Sequence, residues 1–336
     1  MKNNLDIDFV IIWVDGNDLE WQKEKNKYLG LEDSDVDASI ERYRDWDNLR
    51  YWFRAVEQYA PWVRKIHFVT CGHIPSWLNT DASKLHLVKH SDYIPQKYLP
   101  VFSSHPIELN LHRIEGLSEH FVFFNDDFFL NAPVKPTDFF VKGMPCDSLA
   151  EMPIDFAVRK QYNHIMVNDV IFASEHFNRM KVRKMYRNKW YNVHSLKDSI
   201  RNLMFSVLKK EAFFGFDIHH LPMAYRKKTF EEVWDVDPSL LDRTCSHRFR
   251  DDEDVSQCVF KFWQLLTGQF YPYNKRRSGK LYPVGRYTSE VCDAIRTKKY
   301  KMICINDTDV ENFEETKNQI NSVFEEVLSN KSSFEL

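Results

Sequence analysis

The chain has 336 residues, 43% of them hydrophobic and 15% aromatic, enough for one large folded domain or two modest ones with real cores. Its 46 basic and 49 acidic residues nearly cancel, to a net charge of −3, which argues against a general nucleic-acid binder. Six scattered cysteines without a C-x-x-C spacing favour reduced thiols over zinc ligands or a disulfide framework, and no apolar run approaches the ~20 residues needed to cross a bilayer.

The first residues, MKNNLDIDFV, show no basic segment followed by an apolar one, so no secretion signal is expected. A cytoplasmic protein is expected, with contact to the inner face of the cell membrane left open. Residues 8–14, DFVIIWV, read as a buried strand halted by the turn residues Asp15-Gly16-Asn17-Asp18. A helix follows, with Asp18 as N-cap and Gly30 near its end. The acidic stretch 31–41 reads as a loop. A second helix starts near Asp47, with Leu49, Trp52, Phe53, Val56 and Tyr59 on one face and Pro61 as its stop. KIHFVT (65–70) and LHLVK (85–89) read as strands, and Ile107–Ser118 as a helix. Strands alternating with helices point to a mainly parallel α/β sheet.

The stretch 121–130, FVFFNDDFFL, carries the most information. Its apolar run suits a strand buried on both faces, and open α/β sheets bind ligands outside the carboxyl ends of such strands. Asp126 and Asp127 at that end repel each other unless a cation or a basic group lies between them. A divalent metal carrying a phosphorylated substrate fits, because hard cations prefer carboxylate and phosphate oxygens. The plainer reading is a solvated Asp-Asp turn.

Beyond residue 140 the pattern turns helical and basic over 160–215, and the cluster 179–189 reads either as a solvated face or as a surface for anionic lipid or a phosphate-bearing substrate. An amphipathic helix is expected at 252–266, a last strand at KMICIND and a helix at 310–328, with KSSFEL as a docked tail. The expected division is an α/β core at 1–140, a helical insertion with a catalytic loop at 141–250, and a C-terminal part at 251–336 that completes the core. Glu108, His112 and Glu115 would share one helix face at i, i+4 and i+7. In DIHHLP, the proline after Leu221 aims His220 differently from His219, and either is a candidate general base or a structural histidine. Arg248 and Arg250 precede the acids 251–254, and an arginine there can fork two hydrogen bonds to a phosphate or pair with those acids. Nine glycines and no P-loop or dinucleotide fingerprint weaken ATP and nicotinamide readings.

Together these motifs resemble the Stealth proteins, bacterial capsular polysaccharide sugar-1-phosphate transferases related to the catalytic part of the animal lysosomal-enzyme N-acetylglucosamine-1-phosphotransferase. Four blocks in family order carry the resemblance: IDFVIIWVDGNDLEW; the long block from RYRDWDNLRYWFRAVEQY to FVFFNDDFFL; HHLPMAYRK with SHRFRDDED; and KMICIND with SSFEL. The third block is the loosest, since relatives often carry a second His after the Pro. The resemblance implies a glycosyltransferase-A-like fold and transfer of a hexose or N-acetylhexosamine 1-phosphate from a UDP-sugar. The implied acceptor is a hydroxyl of a lipid-linked oligosaccharide or polysaccharide, with release of UMP. It puts catalysis on Glu108, Asp127, His220 and Arg250. A Mg²⁺ or Mn²⁺ would sit at Asp126 and Asp127, with Trp13, Asp15 and Gly16 near the donor. The competing expectations are a metal-dependent glycosyltransferase releasing UDP and a noncatalytic carbohydrate-binding subunit.

Overall fold

The computed structural model describes residues 5–30, 43–156, 160–308 and 310–336; the acidic stretch 31–41 expected as a loop lies outside them. The described residues form eleven strands: β1 (Ile7–Ile12), β2 (Ile66–Thr70), β3 (Leu85–Lys89), β4 (His120–Phe124), β5 (Phe128–Leu130), β6 (Phe140–Val141), β7 (Met144–Asp147), β8 (Met223–Arg226), β9 (Tyr271–Pro272), β10 (Gly279–Pro283) and β11 (Met302–Asn306). The central sheet runs β3-β2-β1-β4-β8, parallel throughout except for β8, which lies antiparallel on β4. This is the expected mainly parallel α/β arrangement. β1 and β2 are almost wholly buried, as suits strands covered on both faces.

The helix Leu19–Leu29 begins where the sequence marks it: the Asp18 side chain accepts from Trp21 N, and Gly30 closes the far end. The helix Leu49–Tyr59 buries all five residues of its predicted stripe. Trp52 meets Phe124 of β4 edge-on at 5.3 Å, and Phe53 meets Phe68 of β2 at 5.7 Å. Burying each such aromatic ring is worth roughly 1.5–3 kcal/mol.

Three expected elements differ. The run FVFFNDDFFL is two strands in two sheets, not one. β4 ends at Phe124, a turn carries the chain over Asn125–Asp127, and β5 pairs antiparallel with β11, which itself pairs with β10. An apolar run records burial, not sheet membership. The helix expected at 107–118 is broken: Ser104–Leu109 is helical, and one 3-10 turn, Leu111–Arg113, follows. Asn110 ends it, its side-chain amide donating back to Pro106 O at 2.8 Å. The helix expected at 252–266 starts only at Cys258, because Asp254 is buried and committed to side-chain partners.

The C-terminal tail is docked. Phe334 packs on Phe53 at 5.2 Å, and buried Arg54 donates to both carboxylate oxygens of Glu335, whose side chain is 4% exposed, at 2.8 Å. Arg54 also reaches Leu328 O at 2.8 Å. Removing one partner of a buried pair leaves the other charge uncompensated, so Arg54→Ala should lower the unfolding free energy by roughly 3–5 kcal/mol in urea. Adding Glu335→Gln should restore part of that loss; a double variant no more stable than the single one would show that the pair is not what docks the tail.

Candidate active site

The carboxyl edge of β1 and β4 opens into a cavity of about 970 Å³, which Trp13, Glu108, Asp126, Asp127, His220 and Arg250 all help to line. Ligands of open α/β sheets bind outside this edge. Each side chain arrives by a different route. Asp126 and Asp127 sit in the turn from β4 to β5, where Phe128 N donates to Asn125 O at 3.1 Å and Ile305 N to Asp127 O at 2.9 Å. Glu108 comes from the short helix opened by Ser103, and His220 from the loop before β8. Arg250 comes from the loop after the helix Pro238–Ser246.

Asp126 is exposed to solvent and Asp127 half-buried, so the turn sits at the mouth of the cavity. The surrounding protein, then the charges of Asp127 and Asp45, pushes the Asp126 carboxyl up to about 7. The two oxygens of Asp127 have different surroundings. Oδ2 accepts the Cys304 thiol at 3.1 Å and faces His220 Nε2 at 3.6 Å. Oδ1 is buried and has no hydrogen-bond partner among the described residues. An unpartnered buried carboxylate oxygen beside a second carboxylate is costly alone and suits a hard cation. Asp127, His220 and Cys304 also lie within 4.8 Å of one another. Cys304 is fully buried, and burial followed by the Asp127 charge drives its thiol well above the usual range, which suits its role as a donor to Asp127. The carboxylate oxygens of Asp126 and Asp127 are the hard donors that would suit a divalent cation such as Mg²⁺ or Mn²⁺.

Glu108 is buried, and burial lifts its carboxyl to about 7 against the opposing pull of Arg250, Ser104 and His220. Arg250 Nη2 donates to Ser104 Oγ at 3.2 Å, so the guanidinium turns toward the Glu108 helix. Asp254, the acid nearest to hand, is fully buried and accepts from His105 at 3.1 Å, His247 at 2.7 Å and Asp251 N at 3.0 Å. Those bonds clamp the arginine loop to the Glu108 helix. Phe249 stacks on Phe102 at 5.2 Å, and Arg248 lies over the Tyr28 ring at 5.0 Å, away from a phosphate-clamping role.

The adjacent histidines diverge. The His220 side chain is 40% exposed, with its ring edge-on to Phe128 at 4.7 Å. His219 is 11% exposed, and burial, then Lys261, press its imidazole down to about 4. Its Nε2 is buried and has no hydrogen-bond partner among the described residues.

Other expected residues lie elsewhere. Asp15 and Gly16 are outside the cavity lining. Asp15 N donates to His73 Nδ1 at 3.1 Å, and a Cβ on Gly16 would come within 1.7 Å of the Tyr43 carbonyl oxygen, so only glycine fits. Trp13, which does line the cavity, is largely buried against Phe68. With the helix broken, His112 is not beside Glu108: it packs between Phe230 and Trp234, and burial holds it down at about 3. Glu115 is exposed. The basic cluster is not one face either. Arg179 is fully buried on Glu151, and Lys189 donates to the Gly268 and Phe270 carbonyls.

Three further groups at the cavity escaped the sequence reading. Asp169 is buried in the helix Lys160–His176, takes both hydrogen bonds of Ser256 at 2.8 and 2.6 Å, and is lifted by burial to about 8. Its signal was an acid on the same helix face as Ile165, Phe172 and Ala173, all buried. Asp307 follows β11 as Asp127 follows β4, and is held by Arg44 at 2.6 Å and Trp46 at 3.1 Å. Arg276 is bound to Asp198 at 3.0 Å, and its segment carries no comparable signal.

Glu108 predicts a pH dependence. The folded protein holds its proton above the ordinary value of 4.5, so this stabilising contribution is full below pH 4.5 and is lost as pH rises through about 7. Glu108→Gln keeps the neutral form at every pH. Relative to wild type, the variant should gain on the order of 2–3 kcal/mol in unfolding free energy between pH 4.5 and pH 8. A pH-independent difference would mean that Glu108 is ionised throughout.

Comparison with known proteins bears out the first two of the four sequence blocks as family regions. Residues 5–33 match the model of Stealth protein conserved region 1, and residues 42–146 that of Stealth protein conserved region 2. A capsular polysaccharide phosphotransferase, WcwK, of Streptococcus pneumoniae is 40% identical over 336 residues, covering 100% of both chains. The receptor polysaccharide phosphotransferase WefC of Streptococcus gordonii is 39% identical, over 98% of this chain and 99% of that one. The exopolysaccharide phosphotransferase cps2G of Lactiplantibacillus plantarum is 37% identical, over 98% and 96%. Among solved structures, the galactosyltransferase LgtC is a distant likeness, with a TM-score of 0.39 and 9% identity over 94% of this chain and 95% of that one. The chain belongs to the Stealth family and is a transferase.

Proposed function

We propose that the chain transfers a sugar 1-phosphate, a hexose or N-acetylhexosamine 1-phosphate, from a UDP-sugar to a hydroxyl of a growing cell-surface polysaccharide. The observation that carries this is the convergence of Glu108, Asp127, His220 and Arg250 on one cavity at the carboxyl edge of the parallel sheet. The names of the full-length relatives support the phosphotransfer class.

The acceptor oxygen attacks the β-phosphorus, the bond from that phosphorus to the bridging oxygen breaks, and UMP leaves. In phosphoryl transfer most of the work is positioning and charge stabilisation. The His220 imidazole takes the acceptor proton, and the Asp127 carboxylate at 3.6 Å favours the imidazolium that results. Arg250 meets the charge growing on the transferred phosphate, with the planar fork that lysine lacks. Glu108, whose proton state changes near neutrality, orients the sugar. Trp13, Asp15 and Gly16 mark the edge of β1 where the nucleotide is placed. A Mg²⁺ or Mn²⁺ held by Asp126 and Asp127 would neutralise diphosphate charge. The acceptor is read as lipid-linked and the setting as the cytoplasmic face of the membrane, consistent with the finding that no helix among the described residues is long and apolar enough to cross one.

The test is the released nucleotide and the histidine pair. Wild-type protein with a UDP-sugar and acceptor should release UMP; UDP would instead mean glycosyl transfer. His220→Ala should slow single turnover ~10²–10⁴-fold with donor affinity little changed, the scale of losing a general base. His219→Ala should be much milder, since its side chain is only 11% exposed and burial holds its imidazole down at about 4. If His219→Ala is the dead variant, or His220→Ala loses only donor affinity, the base is not His220.

A further inference from the structure

The helix Leu196–Ser206 is built inside out. Its inner face is polar: Asp198 and Asn202 are buried, and Asn202 donates to Leu149 O at 2.8 Å and Trp190 O at 3.0 Å and accepts from Glu151 N at 2.9 Å. Arg179 ties its end from behind, donating to Phe205 O at 2.8 Å and Leu208 O at 2.7 Å. The outer face is apolar. Leu196, Ile200, Leu203, Met204 and the following Val207 recur at helical spacing, and each is at least 60% exposed. A surface helix normally turns that stripe to the core, and contiguous exposed apolar surface of this kind marks an interaction site.

The charge around it names the partner. Between residues 179 and 210 ten Lys and Arg stand against one acid, Asp198, in a chain whose net charge is −3. Four of the ten are used internally: Arg179 on Glu151, Arg183 on Tyr191, Lys189 on backbone carbonyls and Arg201 on Asp217. The other six, Lys181, Lys184, Arg187, Lys197, Lys209 and Lys210, are exposed. A two-fold contact between copies would bring this positive rim against itself. An anionic lipid surface complements both the rim and the apolar stripe, and eleven residues of helix can lie in the interface but not span it.

We propose that the helix Leu196–Ser206 with Val207, rimmed by these lysines and Arg187, docks the protein onto an anionic bilayer surface. The docked helix is linked to the catalytic cavity, because Asp198 on its inner face accepts from Arg276 of the cavity wall at 3.0 Å. Docking places the cavity close to a lipid-borne acceptor. It refines the setting read above, yet vesicle binding needs neither donor nor acceptor, so it stands or fails apart from the transfer chemistry.

The experiment is sedimentation of the full chain with vesicles of phosphatidylcholine alone or with one-third phosphatidylglycerol, at 0.15 M and 1 M salt. Wild-type protein should sediment with the anionic vesicles at least tenfold better than with the neutral ones, and high salt should weaken this. The variant Ile200→Glu, Leu203→Glu, Val207→Glu and the variant Lys209→Glu, Lys210→Glu should each lose tenfold or more of that binding. All five positions are exposed, so turnover with a water-soluble acceptor should stay at the wild-type rate. Wild-type protein left in the supernatant, or variants that bind as wild type does, would overturn the proposal. So would a wild-type dimer that the triple variant converts to monomer, which would assign the face to a second copy.

Discussion

Everything at the cavity depends on how the chain leaves β4. The turn Asn125–Asp127 joins two sheets, and Ile305 N and the antiparallel pairing of β5 on β11 hold it fast. A carboxylate pair on a free loop would splay into water and repel weakly. Here the backbone is pinned on both sides, so the two charges are held close together. A cation lying between them would relieve their repulsion.

The same logic extends outward. Glu108 and Asp169 are buried acids raised to about 7 and about 8, each in part by the presence of other carboxylates or in spite of neighbouring cations. Several acids titrating near neutrality around one cavity are what a transferase handling charged phosphates and a proton needs. Part of their rigidity comes from a clamp of buried hydrogen bonds. Asp254 holds His105 and His247, and with them the Arg250 loop against the Glu108 helix. The docked tail works similarly on the far side, where Arg54 and Glu335 brace the helix that carries Trp52 against β4.

Much of this architecture was legible in the sequence where one physical signal acted alone. The Asp18 cap, the stripe of Leu49–Tyr59 and the strand at 85–89 are local, and they fold as read. The carboxyl-edge acids were legible too, since a buried apolar run stopping at two aspartates has few meanings. What stayed hidden depends on distant partners. Nothing local in FVFFNDDFFL says that Phe128 pairs with Cys304 of β11, 176 residues on, and Asn110 ends a helix whose apolar spacing continues past it. Asp254 read as a possible partner for the arginines before it, because its two histidines come from segments that only the fold brings together. The helix Leu196–Ser206 went unremarked because its spacing is that of any amphipathic helix, and only burial shows which face is turned out.

The most direct test of the central claim is calorimetric titration of Mn²⁺ into the protein without substrate. The account predicts one binding site that Asp127→Asn weakens at least tenfold and Cys304→Ser leaves nearly intact, because carboxylate oxygens and not the thiol hold the ion. Unchanged affinity in Asp127→Asn, or a site abolished by Cys304→Ser alone, would contradict it.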